Sequence, residues 1–549
     1  MAGTWQGLLN QPNFNTSTMI LLSDGRIMVQ EEATQHWHTL TPDRHGSYLH
    51  GTWSPLADMS TWRRYYASGM LRDGRIILIG GEQSGAGGDT NTGEIYDPVS
   101  DTWSPIPSPP GWVKVGDAPC CILPDGRFMI GSIFGMPPMC TIFDPVSNSW
   151  SPAASKGSTA SEETWILLPD DSIVTAQCFS PYHSQRYSIS SNSWKDEGPL
   201  PVSIVDPVMH EIGPAMLMYN GKVIYFGSAD VKGHGKTALY TPPVIYTGTG
   251  TWVQGPDIPK IGGKTIVCND CPASLLPNGK VLVASAPYAS PNWGTPIHFL
   301  EYDPFTDTLS QVATPPNNGA QLFWSRFMLL PTGQVLFSPS SSNVQCYTPD
   351  GSPQDAWRPV IKSVTRHGTS PSVFDYLLRG QQLNGLSQAN MYGDDCSPST
   401  NYPLVRLRNP HTGQVLFART YDFSTMAVAT GTAMESVRFS AANIPYGHYE
   451  LCVIANGISS RCITFGHHRP HQPCHCEKCS RQETECCCQE ISKGNSPCEE
   501  EAVIEPEIIE LQDQIHQLSR NVHRLSSLIK VEEPHRQPKE VAKKKEGEA

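Results

Sequence analysis

The residues of this chain with most capacity for chemistry are three carboxylates, Asp117, Glu162 and Asp270, each standing eight positions before a tight turn. Tyr65 and Trp324 share that offset, and His210 and Glu211 lie close to another such position. Converging carboxylates bind a hard cation such as Ca²⁺ through oxygen, and beside an aromatic ring they form a pocket on which a sugar can stack. A pair such as Glu162 and Asp270 could also serve as acid and base in glycoside hydrolysis, although nothing local marks either one. The plainer reading, that inward polar residues bind water in a channel, weighs more.

Cysteine is the second chemical resource. Of 17 cysteines, seven fall between Cys474 and Cys498. Cys474, Cys476 and Cys479, with neighbouring histidines, offer soft ligands for Zn²⁺, but their spacing matches no defined finger. The vicinal Cys486, Cys487 and Cys488 suit disulfides between chains. Cys452 and Cys462 flank Asn456-Gly457 symmetrically and could meet across a hairpin, either bridged or as thiols. Cys268 and Cys271 form a lone CxxC in a β context, which fits buried thiols or a local disulfide better than zinc.

The elements that must position these residues come from an internal repeat. Turns recur at Asp24-Gly25, Asp73-Gly74, Asp125-Gly126, Asp170-Asp171, Asn220-Gly221, Asn278-Gly279 and Thr332-Gly333, each between apolar runs. Such turns predict seven β-hairpins joined by two-residue connections. Aromatic-Asp-Pro segments follow, at Tyr96-Asp97-Pro98, Phe143-Asp144-Pro145 and Tyr302-Asp303-Pro304, often with a nearby Trp such as Trp103 or Trp150. Two hairpins per repeat of about 50 residues make a four-stranded blade. The stretch from Leu71 to Glu82, followed by Glu94-Ile95-Tyr96-Asp97-Pro98, resembles a kelch repeat. The expected fold is all-β, with a seven-bladed kelch propeller over residues 1–360.

Beyond residue 360 the period stops. Leu383-Asn384-Gly385, Tyr392-Gly393-Asp394-Asp395 and Ile444-Pro445-Tyr446-Gly447 resemble the immunoglobulin-like domain that closes galactose oxidase-like and glyoxal oxidase-like proteins, here expected over residues 361–466. That resemblance implies a copper radical site of two tyrosines and two histidines, one tyrosine being cross-linked to cysteine beneath a tryptophan. Of the matching positions only Tyr65 keeps the family's residue. Thr16 stands for the cysteine, Phe323-Trp324 for a Tyr-His pair, Gln83 for the stacking tryptophan and Tyr421-Asp422 for the last histidine. Thr, Phe and Trp supply neither imidazole nor thioether, so copper radical chemistry is not expected.

The chain ends in a Cys/His-rich linker (residues 467–500), a helix (501–533) and a charged tail (534–549) read as disordered. Ile508, Leu511, Ile515, Leu518, Val522, Leu525 and Ile529 follow alternating spacings of three and four, the seam of a short coiled coil joining two or three copies, or of one docked amphipathic helix. A net charge of −13 with no basic run outside the last dozen residues speaks against nucleic acid, and no stretch could span a bilayer. The opening residues lack a secretory pattern, so synthesis in the cytosol is expected. The leading expectation is a non-enzymatic display or adhesion protein, assembled through its tail with itself or with a cell-surface, spore-surface or phage-like particle, and presenting the propeller and sandwich to glycans or proteins. The alternative is a carbohydrate-active enzyme with a remodelled, copper-free site.

Overall fold

Seven turns of similar sequence close seven hairpins, but their connections are one residue longer than expected. In the first, Leu22 N–H donates to Arg26 O at 2.8 Å and Gly25 N–H to Leu22 O at 2.9 Å, leaving residues 23–25 as the loop. The Asp24 carboxylate accepts the backbone N–H of Arg26 at 3.1 Å and its Nε at 2.8 Å. This side-chain cap holds Asp24 out of the left-handed region and passes the positive φ to Gly25, at +78°. The same backbone pair recurs at Leu71, Leu123, Leu168, Met218, Leu276 and Leu330. In the fourth copy Asp171 occupies the glycine position at φ +61°.

The computed structural model describes residues 3–85, 87–161, 163–230, 232–244, 247–367, 374–388 and 398–468. Each hairpin supplies the two inner strands of an antiparallel blade. The second blade runs Ala67–Met70, Ile76–Ile79, Gly93–Asp97 and Thr102–Ile106 from the axis outward. The innermost strands of the others are Thr16–Leu21, Cys120–Ile122, Ile166–Leu167, Ala215–Leu217, Ala273–Leu275 and Arg326–Leu329. Thr4–Gly7 closes the ring as the outer strand of the seventh blade, with Thr4 opposite Thr348. This is a seven-bladed propeller.

Its blades are stapled by their outer tryptophans. Trp103 Nε1 donates to Ala57 O of the preceding blade at 2.9 Å, and Trp53, Trp150, Trp194 and Trp5 bond Asn10, Pro107, Ala154 and Ala313 carbonyls in the same way. Four of these indoles, those of Trp5, Trp103, Trp150 and Trp194, also pack on an aromatic ring of their own blade, as Trp103 does on Tyr96 with centroids 5.0 Å apart. One side chain thus joins apolar burial to a satisfied polar tip.

The second β region holds Val360–His367, Asp375–Gln381, Leu404–Arg408, Val415–Tyr421, Met434–Ser440 and Gly447–Ala455, with Ile463–His467 beside the last. Val415–Tyr421 pairs with Leu404–Arg408 through its first half and with Met434–Ser440 through its end, so the two layers are continuous. Among the described residues there is no α-helix, and no helix long and apolar enough to cross a membrane. The coiled-coil positions from Ile508 to Ile529 and the cysteines from Cys474 to Cys498 lie outside the described residues.

The sandwich docks on the hairpin end of the propeller. Thr420 N–H donates to Ser23 O at 3.1 Å, Phe423 N–H to Arg72 O at 3.1 Å and Met426 N–H to Pro124 O at 2.9 Å. The Tyr402 hydroxyl donates to Leu21 O. Gln388 reaches the third blade, donating to Ile122 O at 2.8 Å and accepting from Cys121 Sγ at 3.2 Å.

Candidate functional site at the channel mouth

Most of the described residues picked out by their offset precede an innermost strand, at the end opposite the hairpins. Tyr65 and Trp324 stand two residues before theirs, and Asp117, Ile212 and Asp270 three before. Thr16 is the first residue of its strand, where a register shift lies between Thr16 and Met19. Glu162 lies outside the described residues.

The arrangement at this mouth is aromatic more than acidic. Tyr65 packs beside Phe323 with centroids 6.3 Å apart, and Phe323 touches Trp324 at 5.5 Å and Trp293 at 4.7 Å. The Arg326 guanidinium lies 5.4 Å from the Tyr65 ring, its Nη1 donating to Phe323 O at 2.7 Å and Ser325 O at 2.8 Å. These bonds fix a buried cation and, through it, the short 3-10 turn Leu322–Trp324 that presents Trp324. Trp324 is 41% exposed. Backbone strain gathers here too: Tyr65, His210 and Asp270 have φ of +52°, +62° and +50°. Side chains other than glycine take such angles only when their surroundings hold them.

The described carboxylates do not make one cage. Asp270 is buried and its N–H donates to Ile212 O at 2.9 Å, while Asp117 and Glu211 are half-buried. His210 packs on Phe179, centroids 4.4 Å apart. Among the described residues no three of His, Cys, Asp or Glu come together as metal ligands. Beside Asp270, the buried Asn269 donates to Ser228 Oγ at 3.2 Å, yet its Oδ1 has no acceptor-side partner among the described residues. Asn269 and Trp293 line one small recess with Tyr288, Ser290 and Asn292, and Trp293 Nε1 is likewise buried without a partner. Both residues line this recess, and an unpartnered acceptor with an unpartnered donor are the two roles that one hydroxyl fills. Trp293, Asn269 and Arg326 were not among the site residues read from sequence; Trp293 sits in an irregular loop, and no repeat offset marks it.

The donor set does not fit copper. Thr16 Oγ1 is 2.5 Å from Ser338 Oγ and donates to Ser341 O at 2.9 Å, and Phe323 offers only a ring. Gln83 accepts from Arg64 Nη1 at 3.1 Å. Tyr421 lies under Arg419, and Asp422 pairs with Arg438 at 3.2 Å, within the sandwich. Cys268 and Cys271 are buried thiols, the second donating to Ala284 O at 3.0 Å. Cys452 is joined to Cys462 by a disulfide.

Comparison with known proteins gives matches over parts of the chain. The kelch motif model matches residues 63–110. A galactose oxidase of Gibberella zeae is 42% identical over 57 residues, 10% of this chain and 8% of that protein. An F-box/kelch-repeat protein of Arabidopsis thaliana is 30% identical over 120 residues, 21% of this chain and 30% of that one. The matched segments are thus a small part of either relative. A solved fungal alcohol oxidase of the AA5 family, in complex with copper, superposes with a TM-score of 0.49 at 14% identity, over 85% of this chain and 99% of that one.

Proposed function

We propose that this chain, a galactose oxidase-like kelch-repeat protein, uses its propeller mouth to hold carbohydrate without oxidising it, as a display or adhesion module. The observation that carries this reading is the half-exposed Trp324, fixed by packing on Phe323 beside the recess of Asn269 and Trp293. A rigid indole stacks on the apolar face of a sugar ring, and the paired orphan groups suit one of its hydroxyls. The positions at which relatives would carry copper ligands instead hold Thr16 and Phe323, so the same mouth lacks the donors for radical chemistry.

The test is binding of the full chain to a panel of neutral oligosaccharides, followed by calorimetry on any that bind. Trp324→Ala is expected to weaken binding by at least about tenfold, the scale of one lost stacking contact. Binding unchanged in Trp324→Ala refutes the site, and peroxide formed from a bound primary alcohol with one copper per chain refutes the non-oxidising role.

A further inference from the structure

The sandwich contains a site of another kind, far from any aromatic platform in its chemistry. Strand register sets Arg406, Cys452 and Cys462 in one row: Arg406 stands opposite Cys452, and Leu451 opposite Ile463 brings Cys462 to the other side of Cys452. The two half-cystines have unequal surroundings, since Cys452 is fully buried while Cys462 is exposed.

Arg406 is half-buried, and its Nη2 points at Cys452 Sγ at 3.3 Å. Its Nε is sealed from solvent and has no acceptor among the described residues. Among the described residues no carboxylate pairs with it, because Glu450 is held by Arg408 at 2.9 Å. A disulfide sulfur is a weak acceptor, whereas a thiolate is a strong, charged one. Cleavage of the bond therefore gives this guanidinium the anion it lacks, at the buried sulfur and not at the exposed one.

We propose that Cys462 is a thiol-capture site, with Cys452 as the leaving group and Arg406 as the residue that positions and stabilises it. An incoming thiolate attacks Cys462 Sγ, and the Cys452–Cys462 bond breaks as the new sulfur–sulfur bond forms. The electron pair leaves on Cys452 Sγ as a thiolate facing Arg406. The product is a mixed disulfide on Cys462, and no further oxidant or reductant is needed, because one disulfide is exchanged for another. Return of Cys452 onto Cys462 expels the thiol and restores the starting state. The thiol is either a small molecule of the glutathione class or a cysteine of a second copy of this chain.

Oxidised full-length protein is incubated with glutathione, quenched with acid, alkylated and mapped by mass spectrometry. Glutathione is expected on Cys462 and the alkyl group on Cys452. A second arm omits glutathione and mixes isotope-labelled with unlabelled chains. A disulfide from Cys462 to a cysteine of the other isotope identifies a second copy as thiol donor, and its absence beside a glutathione adduct assigns the site to small thiols. Arg406→Met is expected to lower the Cys462 adduct about tenfold at equal glutathione, and Arg406→Lys to restore part of it, as a charge-assisted contact requires. Glutathione on Cys452, an adduct on neither cysteine, or an undiminished yield in folded Arg406→Met overturns the proposal. The choice between the two sulfurs is read in the unaltered protein, so it stands even if the variants fail to fold.

Discussion

At the hairpin end of the propeller, side chains and backbone of the sandwich satisfy carbonyls of Leu21, Ser23, Arg72, Ile122 and Pro124, with Ser23 Oγ left unpartnered among the described residues, whereas the mouth is lined by rings beside the unpartnered Asn269 Oδ1 and Trp293 Nε1. Polar groups that are fully paired in a dry interface rigidify it. Groups left unpaired are costly, and a fold retains them where something else holds the surroundings in place. The two ends differ in what holds them: the covered end ties blades to the sandwich through backbone carbonyls, and the open end keeps strained backbone at Tyr65, His210 and Asp270.

The fourth blade provides the severest test of that contrast. There Glu163 and Lys156 form a fully buried ion pair next to the mouth, with Thr175 donating to Glu163 at 3.1 Å. Burial pushes the Glu163 carboxyl up, against the pull of Lys156. Lys156→Met leaves that carboxylate uncompensated and should cost about 3–5 kcal/mol, seen as a lowered denaturation midpoint. The sign with pH follows: in the variant the carboxyl is raised further, so its neutral form favours folding, and the deficit should shrink as pH falls. A midpoint unmoved by Lys156→Met would show that the mouth can lose a buried charge partner freely.

At the sealed end the expected effect is smaller. Asn456 is buried at φ +47°, donates to Ser387 O at 2.9 Å and to Thr400 Oγ1 at 3.2 Å, and accepts from Ser387 N–H at 3.3 Å. Asn456→Ala strands these groups and should destabilise by about 2–3 kcal/mol in chemical denaturation. Glycan binding at the mouth should persist at temperatures where the variant stays folded.

Asp171→Gly acts in the opposite direction. It removes a non-glycine residue from the left-handed region and should add about 1 kcal/mol. Desolvation in the turn, then the charges of Asp170 and Asp125, push the Asp171 carboxyl up to about 6, although Asp171 is exposed, which weakens the effect. With a folded pKa above the unfolded one, Asp171 favours folding below about pH 4 and loses that contribution as pH rises through about 6. The gain from glycine should therefore be larger at pH 7 than at pH 4, a difference that paired thermal melts can measure. The smallest stability effect is expected for Trp324→Ala, within about 0.5 kcal/mol because the indole is half-exposed, even though binding falls most.

Sequence alone determined the number of blades and the strands that build them, because turn residues act locally: Asp24-Gly25 and its six counterparts can be read without knowing what they face. Equal offsets from those turns also put Tyr65, Asp117, Asp270 and Trp324 two or three residues before their innermost strands. The turn length was misread because the residue before each turn pair joins the loop, which the identity of the pair does not display. What the mouth contains was decided only in three dimensions. Trp293 comes to Phe323 from the sixth blade, Arg326 to Tyr65 from the seventh blade, and Arg406 to Cys452 from a strand 46 residues away. Such neighbours are brought together by closure of the ring and by strand register, long-range pairings that no local pattern along the chain encodes.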